Sequence, residues 1–333
     1  MSSRICSRPR TPHLGQRALA GLLLALMAAC GEPEPLGIPA PAGGEWITKD
    51  AAYRSGVTTG SFAPLTHGHC YYELSGPALG ETDLPLLVLV HGFSVPSFIW
   101  DPTFEEAVRR GRPVLRLDLY GRGHSSNPDV AYDVDLFAGQ VLELLDHLGV
   151  DEPVDLAGLS MGGPVVIRVA ALEPGRIRTL VLVSPGSFSP GDGAAPDPTP
   201  PTPEQVERFE AEVLATWAEG QAADFFDPGA FPDWTERCRP WARHEGFARA
   251  LLSTWSSSRP LEEEHRSIQA ANYPVHMVWG RQDGVVVYEQ ARALVEERVP
   301  RAEVHLFDAC GHLPQMEHPV PFGELLFDRI LSR

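Results

Sequence analysis

Six short, predominantly apolar runs of β type lie between residues 86 and 307, and amphipathic stretches separate them. Few folds accept that order. The runs lie at 86–90, 114–118, 154–158, 179–183, 275–279 and 303–307. A strand apolar at nearly every position is buried on both faces, and strands that alternate with helices build a mostly parallel sheet covered on both sides. The clearest helix is 135–148, where Leu136, Val141, Leu144, Leu145 and Leu148 recur at helical spacing. Ahead of the series, 71–74 reads as an antiparallel edge strand. The expected class is α/β.

The third run ends in Gly158-Leu159-Ser160-Met161-Gly162-Gly163, and a new apolar stretch begins at once. A loop serine needs no glycine two residues before and two after it. A serine held in a very tight strand-to-helix turn does, because side chains at those positions would strike the neighbouring backbone.

Serine at neutral pH is a weak nucleophile and needs a base, and the base needs an acid to orient it. In open α/β sheets such groups gather beyond the carboxyl ends of strands. The run ending at Trp279 is followed by Gly280-Arg281-Gln282-Asp283, and the run ending at Phe307 by Asp308-Ala309-Cys310-Gly311-His312. The candidates in chain order are therefore Ser160 as nucleophile, Asp283 as acid and His312 as base. Asp308 is the rival acid, but it ends the strand leading to His312 and is better placed to fix that loop. Among the other histidines, His91 reads as loop-shaping, His276 and His305 lie inside strands, and His318 starts the last helix. An oxyanion site needs backbone N–H groups. Met161, after the nucleophile, and Phe93, in the loop after the first parallel strand, are the expected donors.

The protein has 333 residues, 43% of them hydrophobic and 21% charged, with a net charge of −17. That acidity argues against nucleic acid or an anionic membrane surface as partner. The amino terminus is organised as an export signal. Arg4, Arg8, Arg10 and Arg17 precede an apolar run at 18–29, which Met27-Ala28-Ala29-Cys30 closes. Residues 1–29 are thus expected to be cleaved, and the small residues before Cys30 resemble a bacterial lipoprotein signal, which makes Cys30 the expected lipidation site. The membrane would be engaged by that anchor only. Residues 30–56, opening with Pro- and Gly-rich sequence, read as an extended tether. Cys70, Cys238 and Cys310 remain, and buried free thiols are the simplest reading of three cysteines at this spacing. No phosphate-cradling loop and no metal-ligand spacing is present, so no metal and no cofactor is expected.

Residues 184–203 hold seven prolines and break the rhythm as a hinge. The aromatic, helical stretch that follows makes 185–266 a cap inserted between core segments 57–184 and 267–333. Its tryptophans Trp217, Trp234, Trp241 and Trp255 either form the cap's own core or roof the substrate. In the second reading Trp234, Trp241 and Trp255 line the pocket.

Together His91-Gly92, the segment from Asp118 to Ser125, the turn at 158–162, Asp283 and Gly311-His312 resemble the α/β-hydrolase superfamily over residues 60–333. Ser94 stands where many relatives carry a further glycine. The resemblance implies an α/β-hydrolase fold with a helical cap, and a serine hydrolase of the esterase or lipase kind. The substrates expected are short- to medium-chain neutral esters or acylglycerols. Carbon–carbon bond, peptide or peroxide chemistry on the same triad, and a non-catalytic binding protein, are the alternatives.

Overall fold

A computed structural model describes residues 46–188 and 196–332. Eight strands form one sheet: β1 (Ser61–Leu65), β2 (Gly68–Ser75), β3 (Leu87–Val90), β4 (Val114–Leu117), β5 (Val154–Leu159), β6 (Ile177–Val183), β7 (Val275–Gly280) and β8 (Glu303–Phe307). Their spatial order is β1-β2-β4-β3-β5-β6-β7-β8. The six strands β3 to β8 pair in parallel, and β2 runs antiparallel to both β1 and β4.

Every residue of β3, β4 and β5 is buried, in keeping with their predominantly apolar sequence. The two charged members are held in ion pairs, Arg116 with Glu73 and Asp101, and Asp155 with Arg112. The six parallel strands lie where the apolar runs predict them. The expected edge strand at 71–74 is antiparallel but is not the edge. β1 lies outside it, a short strand containing Pro64, which only an edge position tolerates and which masks the strand in sequence. The helix expected at 135–148 spans Val134–His147, and the Asp133 side chain caps it by accepting from the Leu136 N–H at 2.8 Å.

Register brings the loops of interest side by side. Val90 of β3 pairs with Leu117 on one side and Gly158 on the other, so the turns after β3, β4 and β5 leave the sheet at one level. Gly280 of β7 pairs with Phe307 of β8, which does the same for the two later loops.

Two segments differ from expectation. Residues 46–56 belong to the fold and are not part of a tether. Ile47 bridges to His244 of the cap through two backbone hydrogen bonds, and a helix follows at Ala51–Gly56. Lys49, the chain's single lysine, donates to the Ser125 carbonyl at 2.6 Å and to Asn127 Oδ1 at 2.9 Å, and burial lowers its amine to about 7. Tyr53 Oη lies between His124 Nδ1 and His244 Nε2, at 2.7 and 3.0 Å. The Pro- and Gly-rich composition stops at Gly44, and Asp50 then supplies a helix cap, so the signal was local and short.

The second difference is the far boundary of the cap. Glu262–Ala270 packs on the core helix Gly162–Leu172, where Arg168 donates to Glu264 Oε1 at 3.2 Å, so the insertion ends before Glu262. Both ends of the hinge are tied down, by Gly186 N–H to the Ser160 carbonyl at 3.1 Å and by Asp197 N–H to the Ser256 carbonyl at 2.8 Å. Its middle, 189–195, lies outside the described residues, as do the expected signal, Cys30 and the rest of the expected tether. Among the described residues no helix is long and apolar enough to cross a membrane. Cys70, Cys238 and Cys310 are buried free thiols.

Candidate active site

Ser160 has φ +53°, a left-handed conformation that non-glycine residues adopt at a cost. The surrounding backbone enforces it. Ser160 N–H donates to the Val183 carbonyl of β6 at 2.8 Å, and the Ser160 carbonyl accepts from Gly163 and Gly186. A Cβ on Gly158 would collide with the Gly162 carbonyl, and one on Gly162 with the carbonyls of Val90 and His91. Those two collisions are the reason for the glycines on either side of the serine. Gly92 passes so close that a Cβ there would lie 3.3 Å from Ser160 Cβ.

Asp283 and His312 are both almost wholly buried, and His312 Nδ1 lies 2.9 Å from Asp283 Oδ2. A carboxylate only accepts, so Nδ1 carries the proton and the lone pair of the neutral ring stands on Nε2. Asp283 Oδ1 accepts from the N–H groups of Val285 and Val286 at 2.8 and 2.9 Å, which fixes the carboxylate's orientation. The loops carrying the pair are stitched together. Arg281 N–H donates to the Phe307 carbonyl, Gln282 N–H to the Cys310 carbonyl, and Cys310 N–H to Gln282 Oε1. The rival Asp308 pairs with Arg281 at 2.7 Å on the surface.

Burial alone would lower the His312 pKa, but Asp283, through charge and hydrogen bond, and then the Asp224 and Glu317 carboxylates raise it above the ordinary histidine value. The Asp283–His312 pair is thus assembled, whereas the Ser160 hydroxyl has no hydrogen-bond partner among the described residues. Serine–base contacts commonly close only with substrate bound.

The N–H groups of Phe93 and Met161 donate to no acceptor among the described residues. Two unengaged backbone donors flanking a serine are what an oxyanion site requires. Arg122 supports the first of them. Its guanidinium is buried and donates to the Phe93 carbonyl at 2.8 Å, the Tyr120 carbonyl at 3.2 Å and Thr254 Oγ1 of the cap at 2.9 Å. In the sequence 118–125 enters only through the resemblance; in the structure Asp118 accepts there from the N–H groups of Ser97 and His124. The sequence does not reveal that Arg122 braces the loop carrying Phe93. His91 shapes that loop as expected, donating to the Gly92 carbonyl and accepting from the Leu119 N–H, each at 2.9 Å.

The cap tryptophans divide unequally. Trp234 is 1% exposed and packs edge-on against Phe98 and Phe225, so it belongs to the cap's own core and offers no surface to a substrate. Trp217 is buried against Phe247. Trp241 stacks on Phe98 and His244 and meets His124 edge-on. Trp255 differs: it is 41% exposed and its ring stands edge-on to Phe93. Ring–ring packing accounts for the others, and periodicity cannot separate the two roles.

Among the described residues, one group brings three metal-ligand side chains together: His276, Glu303 and His305 on β7 and β8. Their imidazoles face each other at 3.3 Å as a hydrogen-bonded, stacked pair, before the carboxyl ends of those strands.

An eight-stranded α/β sheet, a strained serine at the β5 turn and an Asp–His pair beyond β7 and β8 define an α/β hydrolase. The chain belongs to the alpha/beta hydrolase family, whose profile matches residues 87–325. It is 30% identical over 258 residues to the dihydrolipoyllysine-residue acetyltransferase component of an acetoin cleaving system from Pseudomonas putida, covering 74% of this chain and 62% of that relative's length. It is 28% identical over 258 residues to 2-hydroxymuconate semialdehyde hydrolase from Pseudomonas sp. (strain CF600), covering 73% of this chain and 85% of the relative. The crystal structure of an enol-lactonase from Burkholderia xenovorans LB400 superposes with a TM-score of 0.67 at 20% identity, over 82% of this chain and 100% of the other.

Proposed function

We propose that this hydrolase cleaves neutral carboxylic esters through an acyl-enzyme. Ser160 Oγ attacks the carbonyl while His312 Nε2 takes its proton. Asp283 holds the Nδ1–H side of the ring, and the Phe93 and Met161 N–H groups receive the oxyanion. The same histidine then protonates the departing alcohol, and water repeats the sequence to release the acid. The observation that carries the reading is the His312–Asp283 bond at 2.9 Å, which leaves Nε2 as the basic atom.

A second reading takes support from the 28% relative that hydrolyses 2-hydroxymuconate semialdehyde, and would give the same triad a carbon–carbon bond to cleave. Charge favours the ester. Asp283, Asp224 and Glu317 all act on His312, and the whole chain is strongly acidic, so a carboxylate-bearing substrate meets repulsion where it must bind. In a series of p-nitrophenyl esters from two carbons upward, kcat/KM should peak beyond acetate. A carboxylate-bearing acyl group should react about tenfold more slowly than its neutral counterpart of equal length, a difference of ~1.4 kcal/mol. Steady decline from acetate would remove Trp255 from the substrate site, and an anionic preference would favour the second reading.

We also propose, from the signal-like terminus, export to the cell envelope and anchoring through lipidated Cys30. Cys30→Ser should move the protein from the membrane to the soluble fraction or leave it unprocessed. Unchanged membrane association would remove the lipid from the account.

A further inference from the structure

Glu317 stands five residues beyond His312, at the end of the short helix Pro314–Glu317. Its Oε1 accepts from the Gly311 N–H at 2.8 Å and the Leu313 N–H at 3.4 Å, the two neighbours of the histidine. Its Oε2 accepts from the Phe226 N–H of the cap at 2.7 Å. Beside this, His312 N–H itself donates to the cap carbonyl of Asp224 at 2.7 Å. The contact is backbone on backbone: a Cβ on Gly311 would stand 2.5 Å from the Asp224 oxygen and 2.7 Å from the Phe226 nitrogen. Only glycine allows the cap to sit that close.

Resting on the reading of His312 as the general base, we infer that Glu317 is a positioning residue that clasps the cap to the histidine loop, so that the cap's seating sets where His312 stands. Both oxygens face N–H donors. A proton on either would set donor against donor, so the clasp requires the carboxylate anion. The cap is therefore not a lid hung from the proline-rich hinge alone. Its 224–226 segment is tied to the base, and movement of that segment is transmitted to His312.

The clasp is also electrical. The groups that raise His312 are Asp283, then Asp224 on the cap and Glu317, so seating the cap adds the Asp224 charge to the two that the core already supplies. Burial in turn pushes the Glu317 carboxyl up, and the N–H bonds from Phe226, Gly311 and Leu313 pull it back only in part.

Two variants separate clasp from packing. Glu317→Gln keeps the length, but its amide must turn one N–H toward a backbone N–H, and it carries no charge. Glu317→Asp keeps the charge and is too short to span both partners. Each is assayed per active site, counted by fluorophosphonate labelling, so that misfolded protein does not enter. Glu317→Gln should lower kcat by about tenfold or more, the size of one lost charge-assisted hydrogen bond, with KM for a short neutral ester changed less than about threefold. The acid limb of kcat/KM should move to lower pH, because losing a negative neighbour lowers the His312 pKa. Glu317→Asp should lower kcat with the limb in place. If kcat per labelled site and the limb both match the parent in the two variants, or if Glu317→Gln loses rate with its limb unmoved, the inference is overturned. A parent that does not label overturns the serine-hydrolase reading and this inference with it; a labelling parent confines the failure to the clasp.

Discussion

Ser160→Ala is expected to lower kcat for a p-nitrophenyl ester by on the order of 10⁴ or more, while leaving the fold as it is. The two halves of that expectation have different causes. The hydroxyl makes no hydrogen bond among the described residues, so removing it breaks no structural contact. Alanine inherits the strained φ of +53° without adding to it, because both residues carry a Cβ. The melting temperature should accordingly stay within a few degrees of the parent. The lost rate comes from the chemistry: without Oγ no acyl-enzyme forms, and His312 and the two unengaged N–H groups can only assist direct attack by water. Single-turnover kinetics with a chromogenic ester would display the difference as a missing burst. A variant that still turns over at the parental rate would place the chemistry elsewhere on the molecule.

Much of this site could be read from sequence, for a physical reason. The central parallel strands are buried on both faces, so their sequence is predominantly apolar, and reactive groups in such sheets collect just beyond strand ends. Ser160, Asp283 and His312 can thus be picked out as candidates by position, and Gly158 and Gly162 mark the turn because the close approach of Val90, His91 and Gly162 tolerates nothing larger. Asp283 was separable from Asp308 by the same logic, and the surface ion pair of Asp308 with Arg281 accords with it.

What was not legible depends on contacts between segments distant in sequence. Arg122 meets Phe93 and Thr254 across 29 and 132 residues. Glu317 meets Phe226 across 91 residues. No local pattern distinguishes an arginine that braces an oxyanion loop from one that is solvated, or a helix-terminal glutamate that clasps a cap from one that caps its own turn. The Ile47–His244 bridge is of the same kind, joining the first described segment to the cap. Aromatic residues raise a related ambiguity: Trp234 and Trp255 look alike in sequence, and only packing separates the buried core ring from the exposed one beside Phe93.

Asp283→Asn tests the orientation of the base most severely, because the protein's own hydrogen bonds dictate which way the new amide must face. The N–H groups of Val285 and Val286 both point at the Oδ1 position, so an oxygen has to remain there. The amide nitrogen is then forced toward His312 Nδ1, where it can only donate. His312 must answer with a lone pair on Nδ1 and carry its proton on Nε2, the atom that should receive the proton from Ser160. Held in the wrong tautomer, the base should lose on the order of 10⁴ in kcat, although ring and carboxamide overlay the parent pair. A second effect accompanies the first. Asp283 is the strongest of the charges that raise His312, so its removal should shift the acid limb of kcat/KM to lower pH, the sign opposite to that of adding a carboxylate. Activity measured from pH 5 to 9, together with ¹⁵N shifts of the His312 ring to identify the protonated nitrogen, checks both effects. A loss under about tenfold with an unmoved limb would mean that Asp224 or Glu317, not Asp283, orients the histidine.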